Sequence, residues 1–142
     1  MIMKKIVLDI LMFLMAGVCL AQDKTPFMGN LYNKEYDVFL HINFYDNNIK
    51  IPHQPIFGDV PGYLEYGKDS RAWIVVSAKL IGEDKARLEI SNDYGSEDLE
   101  ATLTVGKNGE YKLKQGKGSH IKIAVNRKWV KIPNELVFIR VE

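Results

Sequence analysis

The chain has 142 residues, of which 46% are hydrophobic and 26% are charged, and this is enough apolar material for one domain with a core of its own. A formal net charge of +1 argues against a nucleic-acid binder, which normally carries a clear basic excess. The single cysteine, Cys19, excludes a framework of intrachain disulfide bonds.

Residues 1–21 predict an export signal that is removed from the mature protein. Lys4 and Lys5 give this segment a positive start, and a largely apolar stretch interrupted by Asp9 follows. Cys19-Leu20-Ala21 then places small residues at the two positions that a signal peptidase reads. The apolar stretch is short for a membrane span. We therefore expect one domain of residues 22–142, exported to the periplasm or the extracellular space, with no membrane span.

Two alternatives to this free domain stay open. One is an uncleaved anchor, and the other is lipidation of Cys19, which would attach the domain to a membrane surface. Val18 stands where a lipoprotein signal usually has Gly or Ala, so we favour cleavage over lipidation. Cleavage after Ala21 removes two basic residues and one acidic residue, and it leaves 17 of each sign and no cysteine.

The first half of the exported part predicts short strands separated by turns. Residues 22–30 lack periodicity and are interpreted as a lead-in or an edge segment. The prolines of residues 52–61 exclude a central strand there. Within that loop, Ile56 and Phe57 are expected to pin the loop to the core, with exposure as anchors for a partner as the alternative. The predicted strands are residues 36–45, residues 49–51 and Gly62–Tyr66, with a turn at residues 46–48.

The second half has the clearest period of two. From Leu99 to Val105, apolar residues occupy the odd-numbered positions and polar residues the even-numbered ones, which places the apolar set on one face of a strand. Asn108-Gly109 predicts a tight hairpin turn, because these residues accept positive φ values. The predicted strands are Ala72–Leu80 and residues 86–91, 99–105, 110–115, 120–125 and 136–141, with a turn at residues 116–119 and a crossing at residues 127–133.

These elements predict an all-β fold, a single small antiparallel β-barrel or sandwich of about eight to nine strands that follows the signal peptide. At most one short helix is expected, at residues 31–35 or 126–129. Successive hairpins from Ala72 onward favour an up-and-down meander, which resembles the calycins in general plan. The Gly-x-Trp motif that opens a typical lipocalin is absent, so the resemblance implies architecture only.

The most unusual loop is residues 92–98. It concentrates three carboxylates, an amide, a hydroxyl and a phenol, and oxygen ligands are what Ca²⁺ prefers. The spacing does not match the calcium loop of an EF-hand. The alternatives are a contact for a protein or a glycan and a solvated loop, in which Asp93 bonds to its own backbone and Gly95 takes a left-handed conformation. We predict no metal site here.

The two tryptophans, Trp73 and Trp129, allow two interpretations. In the first, both close the ends of the barrel. In the second, they provide an aromatic platform with Arg127 and Lys128 as hydrogen-bond donors beside it. Together with the loop, this gives a predicted set of binding residues: Asp93, Tyr94, Glu97, Asp98, Arg127, Lys128 and Trp129.

Motifs for catalysis and cofactors are missing from the sequence. His41, His53 and His120 lie far apart without ligand spacing, and neither a Gly-x-Ser-x-Gly elbow nor a phosphate loop occurs. We expect no catalytic residue, metal or cofactor, and no nucleic-acid partner. The first hypothesis is an exported non-catalytic domain of the inhibitor or immunity type that binds a protein or another macromolecule in the cell envelope. Its partner is expected to be a protein or a glycan of unknown identity. The alternatives are a calycin-like carrier that holds a small apolar ligand within the barrel and, more remotely, a glycan hydrolase with two carboxylates.

Overall fold

The structure, a computed structural model, describes residues 25–142, so the predicted export signal, its cleavage site and Cys19 lie outside the described residues. The described chain is all-β, as predicted, with one short 3-10 turn at Pro55–Phe57. Its strands are β1 (Met28–Asn33), β2 (Val38–Asn43), β3 (Ile49–Lys50), β4 (Asp59–Val60), β5 (Gly62–Tyr66), β6 (Ala72–Leu80), β7 (Lys85–Asn92), β8 (Asp98–Val105), β9 (Tyr111–Gly118), β10 (Lys122–Val125), β11 (Lys128–Lys131) and β12 (Glu135–Val141).

Eight strands close into an antiparallel barrel in the order β1-β12-β9-β8-β7-β6-β5-β2. Each barrel strand pairs with the next barrel strand along the chain, so the predicted meander is confirmed, and the sandwich alternative is excluded by the closure. β1 completes the ring by pairing with both β12 and β2. The interpretation of residues 22–30 as a lead-in or edge is therefore wrong from Met28 onward. Only Leu31 and Asn33 are buried in β1. Two buried positions are too few to show the period of two of a strand in the sequence.

Inward side chains fill the barrel. β7 shows the pattern most clearly, because Ala86, Leu88 and Ile90 are buried and the residues between them are exposed. The largest buried side chains, Tyr111, Phe27 and Phe138, belong to the same continuous core. An eight-stranded barrel has an interior just wide enough for side chains, so a filled barrel is the expected result.

Two small sheets interrupt the meander. β3 pairs with β4 between β2 and β5, and β10 pairs with β11 between β9 and β12. The β3–β4 segment contributes to a second apolar cluster with the outer faces of β5 and β6. Burial raises the pKa of Tyr63 in this cluster to about 12, with the nearby Glu65 as the smaller cause. The members of the cluster are Ile51, Val60, Tyr63, Ala72 and Ile74.

Several sequence expectations are wrong in detail. Residues 31–35 and 126–129 hold strands and turns instead of a helix, and β11 lies inside the predicted crossing. The predicted turn at residues 116–119 is instead the end of β9. Gly118 allows β9 to approach β8 closely, because a Cβ at this position would lie 2.5 Å from the Asp98 carbonyl oxygen. Ile56 is 89% exposed and pins nothing, whereas Phe57 does pack against the second cluster. In residues 25–142, no helix is long and apolar enough to cross a membrane.

The hairpin between β8 and β9 differs from the predicted turn in one respect. Gly109 has a φ of 81°, but Asn108 does not have a positive φ, and its side-chain Oδ1 instead accepts a hydrogen bond from the Glu110 main-chain N–H at 3.1 Å. The turn therefore requires only one left-handed residue. A Cβ at Gly109 would meet no atom within 4 Å, so a substitution there is penalised by backbone strain alone.

We predict that Gly109→Val lowers the free energy of unfolding by about 1 kcal/mol or more, because a β-branched side chain is forced to a positive φ. Urea denaturation of the purified protein measures this change. Lys107→Val is the matched control in the same turn, where φ is not positive, and we expect it to change stability much less. Equal stability of Gly109→Val and its parent would contradict the turn geometry.

Candidate functional site

The loop between β7 and β8 and the β10–β11 hairpin meet at one end of the barrel. They border a cleft of about 310 Å³. The apolar part of its lining comes from Leu64, Trp73 and Ile123, and the large aromatic side chains of Tyr94 and Trp129 contribute to its border. The two chain segments singled out from the sequence therefore lie together, although they are about thirty residues apart.

Asn92 organises the loop through its own side chain. Its Oδ1 accepts hydrogen bonds from the main-chain N–H groups of Ser96 at 2.9 Å and Glu97 at 3.2 Å, and its Nδ2 donates to the Ser96 hydroxyl at 3.0 Å. Gly95 takes the expected left-handed conformation, with a φ of 70°. The local bonding that the sequence suggested for Asp93 belongs instead to Asn92. The loop is thus held in one shape by short polar contacts.

Asp93 and Glu97 attach the loop to its surroundings. Asp93 Oδ2 accepts hydrogen bonds from the Ala72 main-chain N–H and from Gln54 Nε2, both at 3.1 Å. Glu97 Oε1 lies 2.9 Å from Lys122 Nζ, which joins the loop to β10 across the cleft. Both carboxylates therefore have partners within the protein, and both help to hold the loop in place.

Two buried side chains, Trp73 and Gln115, attach the β10–β11 hairpin to the barrel through hydrogen bonds. Trp73 packs in the core, as the first interpretation of the tryptophans expects, and its Nε1 donates to the Lys122 carbonyl at 2.9 Å. Gln115 in β9 accepts from the Ile121 N–H at 2.8 Å and donates to the Pro133 carbonyl at 3.0 Å. Gln115 thereby holds the two ends of the excursion that contains the hairpin.

Tyr94 and Trp129 are large aromatic side chains that border the cleft and are exposed to solvent. Tyr94 is 80% exposed and Trp129 is 62% exposed, so the interpretation of Trp129 as a plug is wrong. Trp129 lies in β11 at the outer part of the hairpin, too far out to close the barrel. The guanidinium of Arg71 lies 5.0 Å from the centre of its ring, a cation–π contact that orients both side chains.

A second groove of about 450 Å³ adjoins the cleft. It shares Tyr94, Trp129 and Arg71 with the cleft and adds Arg127 and Lys128. Asp98 lies elsewhere, at the start of β8, and lines a groove on the outer wall with Glu89, Glu100 and Lys117 among others. The structure therefore brings together six of the seven predicted binding residues and separates Asp98 from them.

Sequence reasoning missed Arg71 and Lys122. Arg71 precedes β6 and carries no local signal, and its contact with Trp129 depends on the placement of β11. Lys122 is one of many lysines, and only the fold brings it to Glu97. Among residues 25–142, no three His, Cys, Asp or Glu side chains are grouped so that they could hold a metal ion.

The arrangement can offer apolar burial, aromatic stacking and charged hydrogen bonds to a bound molecule. Comparison with known proteins adds no relative: no protein-family model matches the chain, and neither a curated protein nor a solved structure matches it. The residues at this end of the barrel are therefore the basis for the proposed function.

We predict that Gln115→Leu lowers the free energy of unfolding by about 2 kcal/mol or more, because the Ile121 N–H and the Pro133 carbonyl lose their buried partner. Chemical denaturation measures the change. Lys114→Leu, at the exposed neighbour in β9, is the matched control and should stay within about 0.5 kcal/mol. A Gln115 variant as stable as this control would show that the hairpin does not depend on these hydrogen bonds.

We predict the opposite sign for Arg127→Gly. Asn126 and Arg127 form the two-residue turn of the β10–β11 hairpin, with φ values of 52° and 67°, and a left-handed conformation is unfavourable for Arg. Glycine should raise the free energy of unfolding by up to about 1 kcal/mol. Lys128→Gly removes the same charge at a strand position and should lower stability by roughly 0.5–1 kcal/mol. Thermal denaturation of both variants separates the backbone effect from the effect of charge.

Proposed function

We propose that this protein is an exported, non-catalytic binding protein that holds a partner protein at the end of the barrel bordered by Tyr94 and Trp129. The exposure of these two large aromatic side chains beside a cleft is the observation that carries the proposal. Tyr, Trp and Arg are the residues that most often anchor protein interfaces, and Arg71 lies against Trp129 here.

The rigidity of the site supports the same proposal. The loop is fixed by Asn92 and Asp93, and the hairpin is fixed by Gln115 and Trp73. A site that is already ordered loses less conformational entropy when a partner binds. The filled barrel supplies the scaffold, and the loops at its end supply the contacts. An inhibitor or immunity protein of the cell envelope is one concrete form of such a binder.

A carrier of a small apolar ligand is the second candidate, with the ligand in the cleft at the end of the barrel and not in the filled interior, and the cleft volume favours it. About 310 Å³ is at the lower end of the range of small-molecule pockets, and Leu64, Trp73 and Ile123 offer apolar contacts. Native mass spectrometry of the protein as isolated from its source tests this candidate. A bound mass of a few hundred daltons that disappears in Ile123→Lys would support the carrier and weaken the proposal of a protein partner.

A double variant tests the proposed function. We predict that Tyr94→Ala with Glu97→Ala keeps the fold and weakens partner binding at least tenfold. Tyr94 is exposed and the ion pair between Glu97 and Lys122 lies near the surface, so the loss of stability should stay within about 1 kcal/mol. Affinity capture from the envelope fraction identifies the partner, and titration with that purified partner measures the dissociation constant.

Ile81→Ala with Glu83→Ala is the matched control, because the turn between β6 and β7 lies at the opposite end of the barrel and is also exposed. We expect the control to bind the partner as the parent does. Equal binding by both double variants, with both folded, would show that the interface lies away from the Tyr94 end.

A further inference from the structure

The unpaired edge of β10 opens into the cleft. In an antiparallel pair, residues alternate between those that exchange main-chain hydrogen bonds with the partner strand and those whose main-chain groups point the other way. The Ile132 N–H donates to the Ile121 carbonyl at 3.1 Å, so this pair is of the hydrogen-bonded kind. The register pairs Lys122 with Lys131 and Ala124 with Trp129. Lys122 and Ala124 come one and three residues after Ile121 in the chain, so both pairs are of the other kind. The main-chain groups of Lys122 and Ala124 therefore point away from β11.

The two-residue turn gives the same assignment independently. Asn126 and Arg127 join Val125 to Lys128, and the residues that flank such a turn form a hydrogen-bonded pair. Counting back from Val125 again leaves Ala124 with its N–H and carbonyl on the outer edge of β10. Two separate features of the structure thus agree on the direction of these groups.

One of these outward groups is occupied by the barrel. The Lys122 carbonyl accepts from Trp73 Nε1, which also shows that this edge faces the cleft. In the described part of the chain, the Lys122 N–H and both main-chain groups of Ala124 have no hydrogen-bond partner. Lys122, Ile123 and Ala124 all line the cleft. A short row of unpaired main-chain groups is thus presented beside an apolar wall.

We propose that the partner binds through an extended segment that adds to β10 as a third strand and pairs with both main-chain groups of Ala124. The inference depends on the proposed function, since it describes how a protein partner would occupy the same end of the barrel. Strand addition gives affinity through main-chain hydrogen bonds and gives specificity through pockets for alternate side chains. The cleft with Leu64 and Trp73 supplies such a pocket.

Charge identifies the chemistry of this segment. The adjoining groove is lined by Arg71, Arg127 and Lys128 and by no carboxylate. Arg71 Nε lies 3.7 Å from Asp69 Oδ2, whereas Arg127 and Lys128 form no ion pair with the described residues. A strand beside β10 would point alternate side chains toward the cleft and toward this groove. The segment is therefore acidic, with Asp or Glu at positions that alternate with an apolar or aromatic residue. Arg127 keeps a cationic side chain at a turn position that glycine would suit better, which fits a role in binding.

The test uses a library of random twelve-residue peptides displayed on phage and selected against the intact protein. We expect the selected peptides to be acidic with an apolar residue at every second position, and to bind more weakly as salt is raised. The synthetic form of the best peptide is then N-methylated at one amide at a time. Methylation should weaken binding at least tenfold at one set of alternate residues and little at the other, because only one set faces β10.

A pair of proline variants tests the protein side. Ala124→Pro removes the N–H that faces the cleft and keeps the pairs that join β10 to β11, so the fold should survive and peptide binding should fall at least tenfold. Lys131→Pro places the same residue on the outer edge of β11 and should bind the peptide within about threefold of the parent. Thermal melts show whether both variants fold. If Ala124→Pro does not fold, binding of the N-methylated peptides to the parent protein tests strand addition instead.

The outcomes separate this inference from the proposed function. A library that yields no binder, or methylation effects without a period of two, overturns strand addition. If the captured partner is lost with Tyr94→Ala and Glu97→Ala but retained by folded Ala124→Pro, then the binding site stands and the strand addition is wrong. If acidic peptides add to β10 while the captured partner binds the variant with Tyr94→Ala and Glu97→Ala as tightly as it binds the parent, then the proposed function fails. The peptide site stands in that case.

Discussion

The closure of eight strands around a filled core is the constraint on which the rest of this protein depends. Once β1 pairs with both β12 and β2, the barrel has no open edge, and its inward side chains occupy the interior. Eight strands leave room for side chains and for little else. Any bound molecule must therefore meet the outer wall or an end of the barrel, and the strand excursions and loops decide what those surfaces offer.

The candidate site arises where the pairing of two barrel strands stops early. β12 pairs with β9 as far as Lys114, and the residues of β9 beyond Gln115 pair only with β8. The chain uses this opening to insert the β10–β11 hairpin, and Gln115 binds the chain at both ends of the insertion. A buried amide with both of its polar atoms engaged is costly to disrupt and so fixes the position of the hairpin. The cleft is a consequence of this placement.

Period-two patterning predicted the barrel because the alternation is strong where one face is fully buried, as in β7 and β8. It failed at β1 and β11, whose buried positions are too few to show a period. Turn chemistry also misled. The stronger signal, Asn108-Gly109, supplies one left-handed residue, whereas Asn126-Arg127 supplies two although Arg is a poor choice for such a turn. The sequence marked Tyr94 and Trp129 as unusual, but their meeting depends on long-range pairing that no local pattern contains.

The outer edges of β10 and β11 differ in how they are protected from pairing with other chains. This difference indicates that the edge of β10 is a specific binding edge and not a site of unspecific aggregation. Exposed strand edges invite pairing with other chains, and proteins commonly blunt them with lysine. β11 begins and ends with Lys128 and Lys131. β10 instead has its one lysine engaged by Glu97 and its edge directed into a cleft between the loop and the barrel. A folded domain is too wide and too rigid to enter this cleft, so edge-to-edge pairing between two folded domains is hindered. The edge of β10 remains accessible to a single extended segment whose charge suits Arg127 and Lys128.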